Sequence, residues 1–149
     1  MKILRRLKSL GATAAELLDI YDKQVRAVLE LAVPVWQPAL TKYESRQIER
    51  VQRSAFYIIL GEEYKDYENA LNILKRETLN ERRVKLCEKF ARKTVRNPNY
   101  ANWFCPNNRL PNTRGNKSRS TFNLKPVNTR TYRFEKSPIP YMTKLLNDL

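Results

Sequence analysis

Residues 41–61, TKYESRQIERVQRSAFYIILG, have the pattern of one long helix with two different faces. Thr41 followed by Glu44 matches the capping box that opens helices, and Gly61 is typical of the position just after a helix ends. At about 100° per residue, one side gathers six mostly apolar positions, namely Ile48, Val51, Gln52, Ala55, Ile58 and Ile59. We therefore expect this side to be covered by other parts of the chain.

The opposite face of this helix is basic. By the same angular spacing, Arg46, Arg50, Arg53 and Tyr57 lie within about 60° of one another. Guanidinium forks and a tyrosine ring or hydroxyl suit the phosphate backbone of a nucleic acid. The alternative is an ordinary solvated face, on which the arginines pair with neighbouring glutamates. The helix alone leaves both interpretations open.

The charge of the whole chain favours a polyanionic partner. Its 149 residues include 29 Lys and Arg against 15 Asp and Glu, a net charge of +14. The excess is spread evenly, because residues 1–96 and residues 97–149 each carry +7. Self-repulsion of this size opposes compaction, so its usual reason is a partner such as nucleic acid, an anionic membrane or an acidic protein.

Several chemistries are excluded by composition. The chain has two cysteines and no histidine, so it cannot form a tetrahedral zinc site by itself, nor a Ser–His or Cys–His nucleophile. Three glycines make a phosphate-binding loop implausible, and no pair of carboxylates stands out as a metal or acid–base couple. We therefore predict no catalytic residue, no metal site and no cofactor. No apolar run approaches the roughly 20 residues of a membrane span.

Further helical segments are predicted on both sides of the central one. A capping box at Thr13 and Glu16 opens the most apolar helix, 13–32, and Pro34 is expected to stop it. Its wide, largely buried stripe consists of Leu17, Leu18, Tyr21, Val25, Val28, Leu29 and Ala32. Asp66 can cap a short helix over 67–75. The basic segment 2–10 has helical spacing but must dock on something to be stable.

A third capping box, Thr78 with Glu81, opens a helix of about 17 residues, LNERRVKLCEKFARKTV. Its predicted inner face consists of Leu79, Leu86, Cys87, Phe90 and Thr94. Arg83 falls on the same face, where a cation needs a buried acceptor or a place at the rim. The far side carries a second basic stripe, which could also be a plain solvated face, formed by Lys85, Lys89, Arg92 and Arg96.

The predicted fold is all-α, a small bundle of four or five helices followed by a basic, largely irregular C-terminal tail. We place the helical domain at residues 1–104 and the Asn- and Pro-rich tail at 105–149, with no regular structure over 106–121. The tail ends in a short helix that its leucines dock, and a short extended segment can precede it.

Much of the chain resembles a known family. The segment VRAVLELAVPVWQPALTKYESRQIERVQRSAFYIILG is similar to the region that follows the polymerase palm in reverse transcriptases of non-LTR retrotransposons of the LINE and jockey type. The similarity includes Tyr21, the run 28–32 leading into Pro34-Val35-Trp36, Ile48 to Arg53, Ile58 to Gly61, Tyr64, Leu79 and Glu81-Arg82-Arg83. The last residues, KPVNTRTYRFEKSPIPYMTKLLNDL, also resemble the extreme C-terminus of such reading frames. Each motif is short, and their order and spacing carry the resemblance.

In that family this region would be a helical thumb that grips the primer–template duplex by its backbone. The resemblance implies RNA, DNA or an RNA–DNA hybrid as partner, the palm of a longer chain as a further contact, no membrane, and a location in the nucleus or cytoplasm. The family's Tyr-x-Asp-Asp motif is absent, so we expect a binding protein without polymerase activity. A fragment, a decayed element and a domesticated thumb all fit this pattern.

The leading hypothesis is therefore a non-catalytic, nucleic-acid-binding thumb that uses Arg46, Arg50, Arg53 and Tyr57 together with Lys85, Lys89, Arg92 and Arg96. The alternatives are a helical protein–protein interaction module, in which the stripe of helix 13–32 binds a partner, and a functionless remnant of a transposable element.

Overall fold

The computed structural model describes residues 1–107 and 122–148, and over these ranges the chain is all-α, as predicted. The described residues contain an isolated antiparallel bridge, Pro106 to Leu124, and no strand. No helix in them is long and apolar enough to cross a bilayer. The helices are α1 Lys2–Ser9, α2 Ala14–Ile20, α3 Ala27–Leu29, α4 Val33–Trp36, α5 Lys42–Leu60, α6 Tyr67–Leu74, α7 Leu79–Val95, α8 Tyr132–Glu135 and α9 Pro138–Asn147. Tyr21–Arg26 is π-helical and joins α2 to α3.

The predicted helix starts are confirmed. The Thr41 hydroxyl accepts a hydrogen bond from the Glu44 backbone N–H at 3.2 Å, and the Glu44 carboxylate accepts one from the Thr41 N–H at 2.8 Å. The same reciprocal bonds are present at the two other predicted boxes, those of residues 13 and 16 and of residues 78 and 81. The hydrogen bonds from Thr41 hold the pKa of Glu44 below its usual value. Asp66 caps α6 by accepting from the Asn69 N–H at 2.7 Å.

The chain forms two compact units. The first comprises Met1–Ala32 and Leu40–Arg83, and the second comprises Val33–Ala39 and Val84–Leu149. The division falls inside α7, whereas the composition of the sequence places a boundary near residue 104. The difference arises because the C-terminal part of α7 shares a core with residues from the expected tail.

The core of the first unit lies under the inner face of α5. Its buried members are Leu4, Leu17, Tyr21, Ala55, Phe56, Ile58, Ile59, Leu60 and Ala70. Phe56 sits at its centre, with its ring centroid 5.6 Å from that of Tyr21 and 6.3 Å from that of Tyr67. The sequence predicted this face of α5, and the structure adds Phe56 and Leu60 to it.

The predicted helix over 13–32 ends earlier than expected. Helical structure stops at Leu29, and Ala32 has a positive φ of 51°. Pro34 does not stop this helix. It lies in the first turn of α4, where a missing N–H is tolerated. Because the chain turns before Pro34, the expected burial of the stripe is wrong at its end, where Val28 is 70% exposed and Ala32 is exposed.

The second unit has its own small core, made of Ala91, Phe104, Leu124, Met142 and Leu146. The terminal helix is confirmed as α9, and it is docked by Leu146 and Met142. The side-chain amide of Asn147 ties α9 to the extended segment before it. Its Oδ1 accepts from the Leu124 N–H at 3.0 Å, and its Nδ2 donates to the Leu124 carbonyl at 2.9 Å. Most of the segment expected to lack regular structure, 108–121, lies outside the described residues.

The inner face predicted for α7 needs one correction, because Phe90 is 43% exposed. Leu79, Arg83, Cys87 and Ala91 are buried, and they follow one another at four-residue intervals. Four residues advance about 400°, so this buried line rotates around the helix by about 40° per step. It thereby moves away from the side on which Phe90 lies.

Arg83 is buried, with 1% of its surface exposed, so it does not lie at a rim. For a buried Arg83 the sequence predicts a buried hydrogen-bond acceptor, such as a carbonyl at a helix C-terminus or a carboxylate. The Ser45 hydroxyl on α5 is among its partners and accepts a hydrogen bond from Arg83 Nη2 at 2.7 Å. Asn80 Oδ1, one turn earlier on α7, lies 3.5 Å from the same nitrogen.

The end of α5 is capped by a distant lysine. Lys8 Nζ, from α1, donates to the Ile58 carbonyl at 2.5 Å and lies 3.4 Å from the Ile59 carbonyl. A cation here also opposes the negative end of the helix dipole. Gly61 follows with φ +60° and ψ −114°, a conformation that favours glycine, and a Cβ at this position would lie 2.5 Å from Lys8 Nζ.

We expect Gly61→Ala to lower the free energy of unfolding by about 1–3 kcal/mol, because it adds backbone strain and displaces the Lys8 cap. Gly11→Ala is the matched control, since Gly11 also has positive φ, +90°, but open space around it. Urea unfolding followed by far-UV circular dichroism measures both. Equal losses for the two variants would show that the contact with Lys8 contributes nothing.

Candidate nucleic-acid interface

The outer face of α5 presents the four predicted residues to solvent. Arg46, Arg50, Arg53 and Tyr57 are all exposed, Tyr57 by 61%. Arg50 Nη1 donates to Gln47 Oε1 at 3.3 Å, and the Arg53 guanidinium carbon lies 5.0 Å from the centre of the Tyr67 ring. These neutral neighbours orient two guanidiniums without cancelling their charge.

The carboxylates closest in sequence to these arginines have other partners. Glu44 is held by the backbone N–H and hydroxyl of Thr41 in the capping box. Glu49 turns inward, where its Oε1 accepts from the Tyr67 hydroxyl and from the Leu79 backbone N–H, the latter at 3.0 Å. Across residues 1–107 and 122–148, no carboxylate forms an ion pair with Arg46, Arg50 or Arg53. The pairs with neighbouring glutamates that the alternative interpretation expected are therefore not formed, and the three arginines face solvent.

Aromatic side chains extend the arginine row. The ring of Tyr57 packs edge-on against Tyr64, with 5.4 Å between centroids. Tyr64 was not singled out as a site residue, although it follows Gly61 closely and sits three residues before Tyr67. Tyr64 is half-buried against the core, so the exposed ring of Tyr57 is the one that provides a face on which a base can stack.

A buried polar network fixes the orientation of α5 beneath this face. Gln52, 2% exposed, accepts from the Tyr21 hydroxyl at 2.8 Å. Its amide nitrogen donates to Tyr67 Oη at 3.0 Å and to the Glu77 carbonyl at 2.9 Å. Burial, together with the bond that Tyr67 donates to Glu49, raises the pKa of the Tyr67 phenol far above its ordinary value, and burial does the same for Tyr21. The sequence placed Gln52 on the inner, mostly apolar face of α5. Its hydrogen-bond partners lie far away in the sequence and were not predictable.

The second predicted stripe lies on α7. Lys85, Lys89 and Arg96 are exposed, whereas Arg92 is half-buried, 6.0 Å from the centre of the Phe122 ring. An open cleft of about 490 Å³ runs along this stripe and is lined by Lys89, Arg92, Lys93, Arg96 and Asn97. Lys93 was not predicted as part of this stripe, although it lies four residues, about one helical turn, after Lys89. All of these residues belong to the second unit, and the row on α5 belongs to the first.

No protein-family model, curated protein or solved structure matches this chain.

The tyrosine network predicts an alkaline loss of stability. Tyr21 and Tyr67 hold their protons more tightly in the native state than in the unfolded chain, so the stabilisation is complete below the unfolded pKa of about 10. It is lost as the pH rises through and above that value. We expect Tyr67→Phe to lower the free energy of unfolding at neutral pH and to make its decline above about pH 10 shallower.

Urea unfolding at a series of alkaline pH values tests this expectation. Tyr43→Phe is the control, because Tyr43 is 70% exposed and should leave both quantities unchanged. Parallel pH profiles for the wild type and Tyr67→Phe would contradict the assignment.

Proposed function

We propose that this chain binds nucleic acid through the sugar–phosphate backbone and has no catalytic role of its own. The observation that carries the proposal is the row Arg46, Arg50 and Arg53, which is exposed while Glu44 and Glu49 are engaged elsewhere. Exposed guanidiniums without paired carboxylates are ready to bind phosphate oxygens. The net charge of +14 supports the same class of partner.

The two basic faces fit a binder that tolerates many sequences. Arginine and lysine on the outside of helices bind phosphates, and phosphates carry no direct sequence information. Tyr57, which packs edge-on against the half-buried Tyr64, adds a stacking face that is equally tolerant of sequence. Residues of α7 would contribute in the same way, through the cleft that contains Lys89 and Arg96.

The resemblance to non-LTR retrotransposon reverse transcriptases gives this proposal a more specific form. In that form the chain is a thumb-like region that grips an RNA–DNA hybrid or a related duplex, and the palm of a longer polymerase chain is a further partner. The proposal for Arg46, Arg50 and Arg53 does not depend on this ancestry.

We expect a labelled RNA–DNA hybrid to bind with an affinity that falls steeply with salt. Neutralising about four phosphates gives a log–log slope of about −3 to −4. Replacing Arg46, Arg50 and Arg53 together by Ala should flatten the slope by about one unit for each arginine that contacts a phosphate. Fluorescence anisotropy at several salt concentrations measures it.

The control removes the same charge elsewhere in the first unit, by replacing Lys2, Arg5 and Arg6 of α1 with Ala. These three cations are also exposed. If both triple variants change the slope equally, the effect reports total charge and the assignment to α5 is wrong. An unchanged slope in the α5 variant would likewise remove these arginines from the interface.

A second candidate function is protein–protein interaction, favoured by apolar side chains near the end of α3. Val28 is 70% exposed and Leu31 is 72% exposed. These two side chains supply apolar area that a partner or a second copy would cover in such an interaction.

Sedimentation velocity at increasing protein concentration, without nucleic acid, tests this second candidate. We expect a concentration-dependent dimer that Leu31→Ser weakens, because the substitution removes apolar area from the contact. Leu10→Ser is the matched control, since Leu10 on α1's C-terminal side is 76% exposed. A monomer at every concentration, or equal effects of both substitutions, would argue against this function.

A further inference from the structure

A cavity in the first unit is lined almost entirely by charged side chains. It has a volume of about 440 Å³, and its walls are Arg26, Gln52, Lys75, Arg76, Glu77 and Arg82. Four of these residues are cations and one is a carboxylate. Such a cavity is distinct from the exposed row on α5, and the proposed backbone binding does not use it.

The guanidiniums of this arginine cavity are fixed by carboxylates that do not line it. Asp22 binds Arg26 Nη1 at 2.9 Å and Arg76 Nη2 at 2.8 Å. Glu30 lies 3.5 Å from Arg26 Nε and also binds Arg82. The side chains of Asp22 and Glu30 are only 15% and 14% exposed. The three arginines are therefore held in place by these two carboxylates.

The donor capacity of the cluster exceeds the acceptors that it contains. Each guanidinium carries five N–H groups, and some of these are used by Asp22, Glu30, Glu77 and the Lys75 carbonyl. Arg76 Nε is buried and has no acceptor among the described residues. A buried donor in this state is costly, so its presence shows that the cluster is tightly packed around the Arg76 side chain.

The backbone around the cavity has two unusual conformations. Lys75 has φ +50° and ψ +51°, so α6 ends in the left-handed region on a residue that is not glycine. This turn lets Lys75, Arg76 and Glu77 line the cavity in succession. The second unusual conformation is the π-helical segment Tyr21–Arg26, whose last residue, Arg26, also lines the cavity. Both conformations are rare, and both recur at functional sites.

We propose that the arginine cavity is a binding site for a phosphate monoester or diphosphate group. Guanidinium forks match phosphate oxygens, and fixed forks lose little freedom when they bind. Its volume lies within the roughly 300–1,000 Å³ that small-molecule sites occupy. Two sources carry the same chemistry: a free phosphorylated compound, and the phosphate at the 5′ end of a nucleic-acid strand.

The primary test is isothermal titration of the full chain with inorganic pyrophosphate at constant ionic strength. Lys75→Asn removes one cation from the cavity, and asparagine tolerates the left-handed backbone. We expect saturable binding to the wild type and a dissociation constant about five times higher for Lys75→Asn, in keeping with the loss of one charge-assisted hydrogen bond. Lys65→Asn is the matched control, because Lys65 is exposed and does not line the cavity.

Two results would overturn the proposal. One is the absence of saturable binding by a wild-type chain that circular dichroism shows to be helical. The other is an equal loss of affinity in Lys65→Asn and Lys75→Asn, which would mean that pyrophosphate responds to overall charge.

The two sources are separated in a background in which Arg46, Arg50 and Arg53 are replaced by Ala. Tighter binding of a 5′-phosphorylated oligonucleotide than of its 5′-hydroxyl twin, with competition by pyrophosphate, assigns the site to strand ends. Equal binding of the two oligonucleotides, with pyrophosphate binding retained, assigns it to a free phosphorylated compound. Because pyrophosphate is titrated without nucleic acid, failure of this proposal and failure of backbone binding by α5 give different results.

Discussion

The side-chain amide of Gln52 holds the first unit together at one point. It is 2% exposed, and it links α5 to Tyr21 in the π-helical segment, to Tyr67 on α6 and to the Glu77 carbonyl before α7. A buried amide is tolerated only when its donors and acceptor are matched. An unpaired polar group is costly in a low-dielectric interior, so the segments must adopt the one relative placement that keeps every hydrogen bond of this network. Apolar contacts alone would permit several placements.

That constraint decides which way α5 faces. With Gln52 turned inward, Arg50 points about 160° away from it, because two residues back along a helix turn the chain by about 200°. The same network draws Glu49 inward, where it accepts from Tyr67 and from the Leu79 N–H. Burial of one glutamine thus exposes the arginines and at the same time removes a carboxylate that could have paired with them.

The sequence predicts those features whose partners are close along the chain. A threonine hydroxyl and a glutamate three residues later are enough to locate the starts of α2, α5 and α7, and the apolar spacing of α5 is enough to orient it. Features that depend on distant partners were not predictable. Arg83 binds a hydroxyl 38 residues away, and Ala32 adopts a positive φ for which alanine carries no signal. The exposed positions of Arg46, Arg50, Arg53 and Tyr57 were predictable because they depend only on helical periodicity, whereas the arginine cavity is assembled from separate segments.

Eight of the fifteen acids have structural roles, and they include Glu44 and Glu49, the two that lie closest in sequence to the α5 arginines. Four of these acids cap helices, namely Glu16, Glu44 and Glu81 in capping boxes and Asp66 at the start of α6. Three hold the arginines around the cavity, namely Asp22, Glu30 and Glu77. The last, Glu49, belongs to the Gln52 network. These carboxylates stabilise helix starts and buried contacts, where they accept hydrogen bonds from neutral donors or pair with fixed guanidiniums. A polyanion that neutralises the α5 row therefore takes no partner away from any of them. Binding at this face can change with salt or mutation while the fold beneath it stays intact, since the two depend on different ionic contacts.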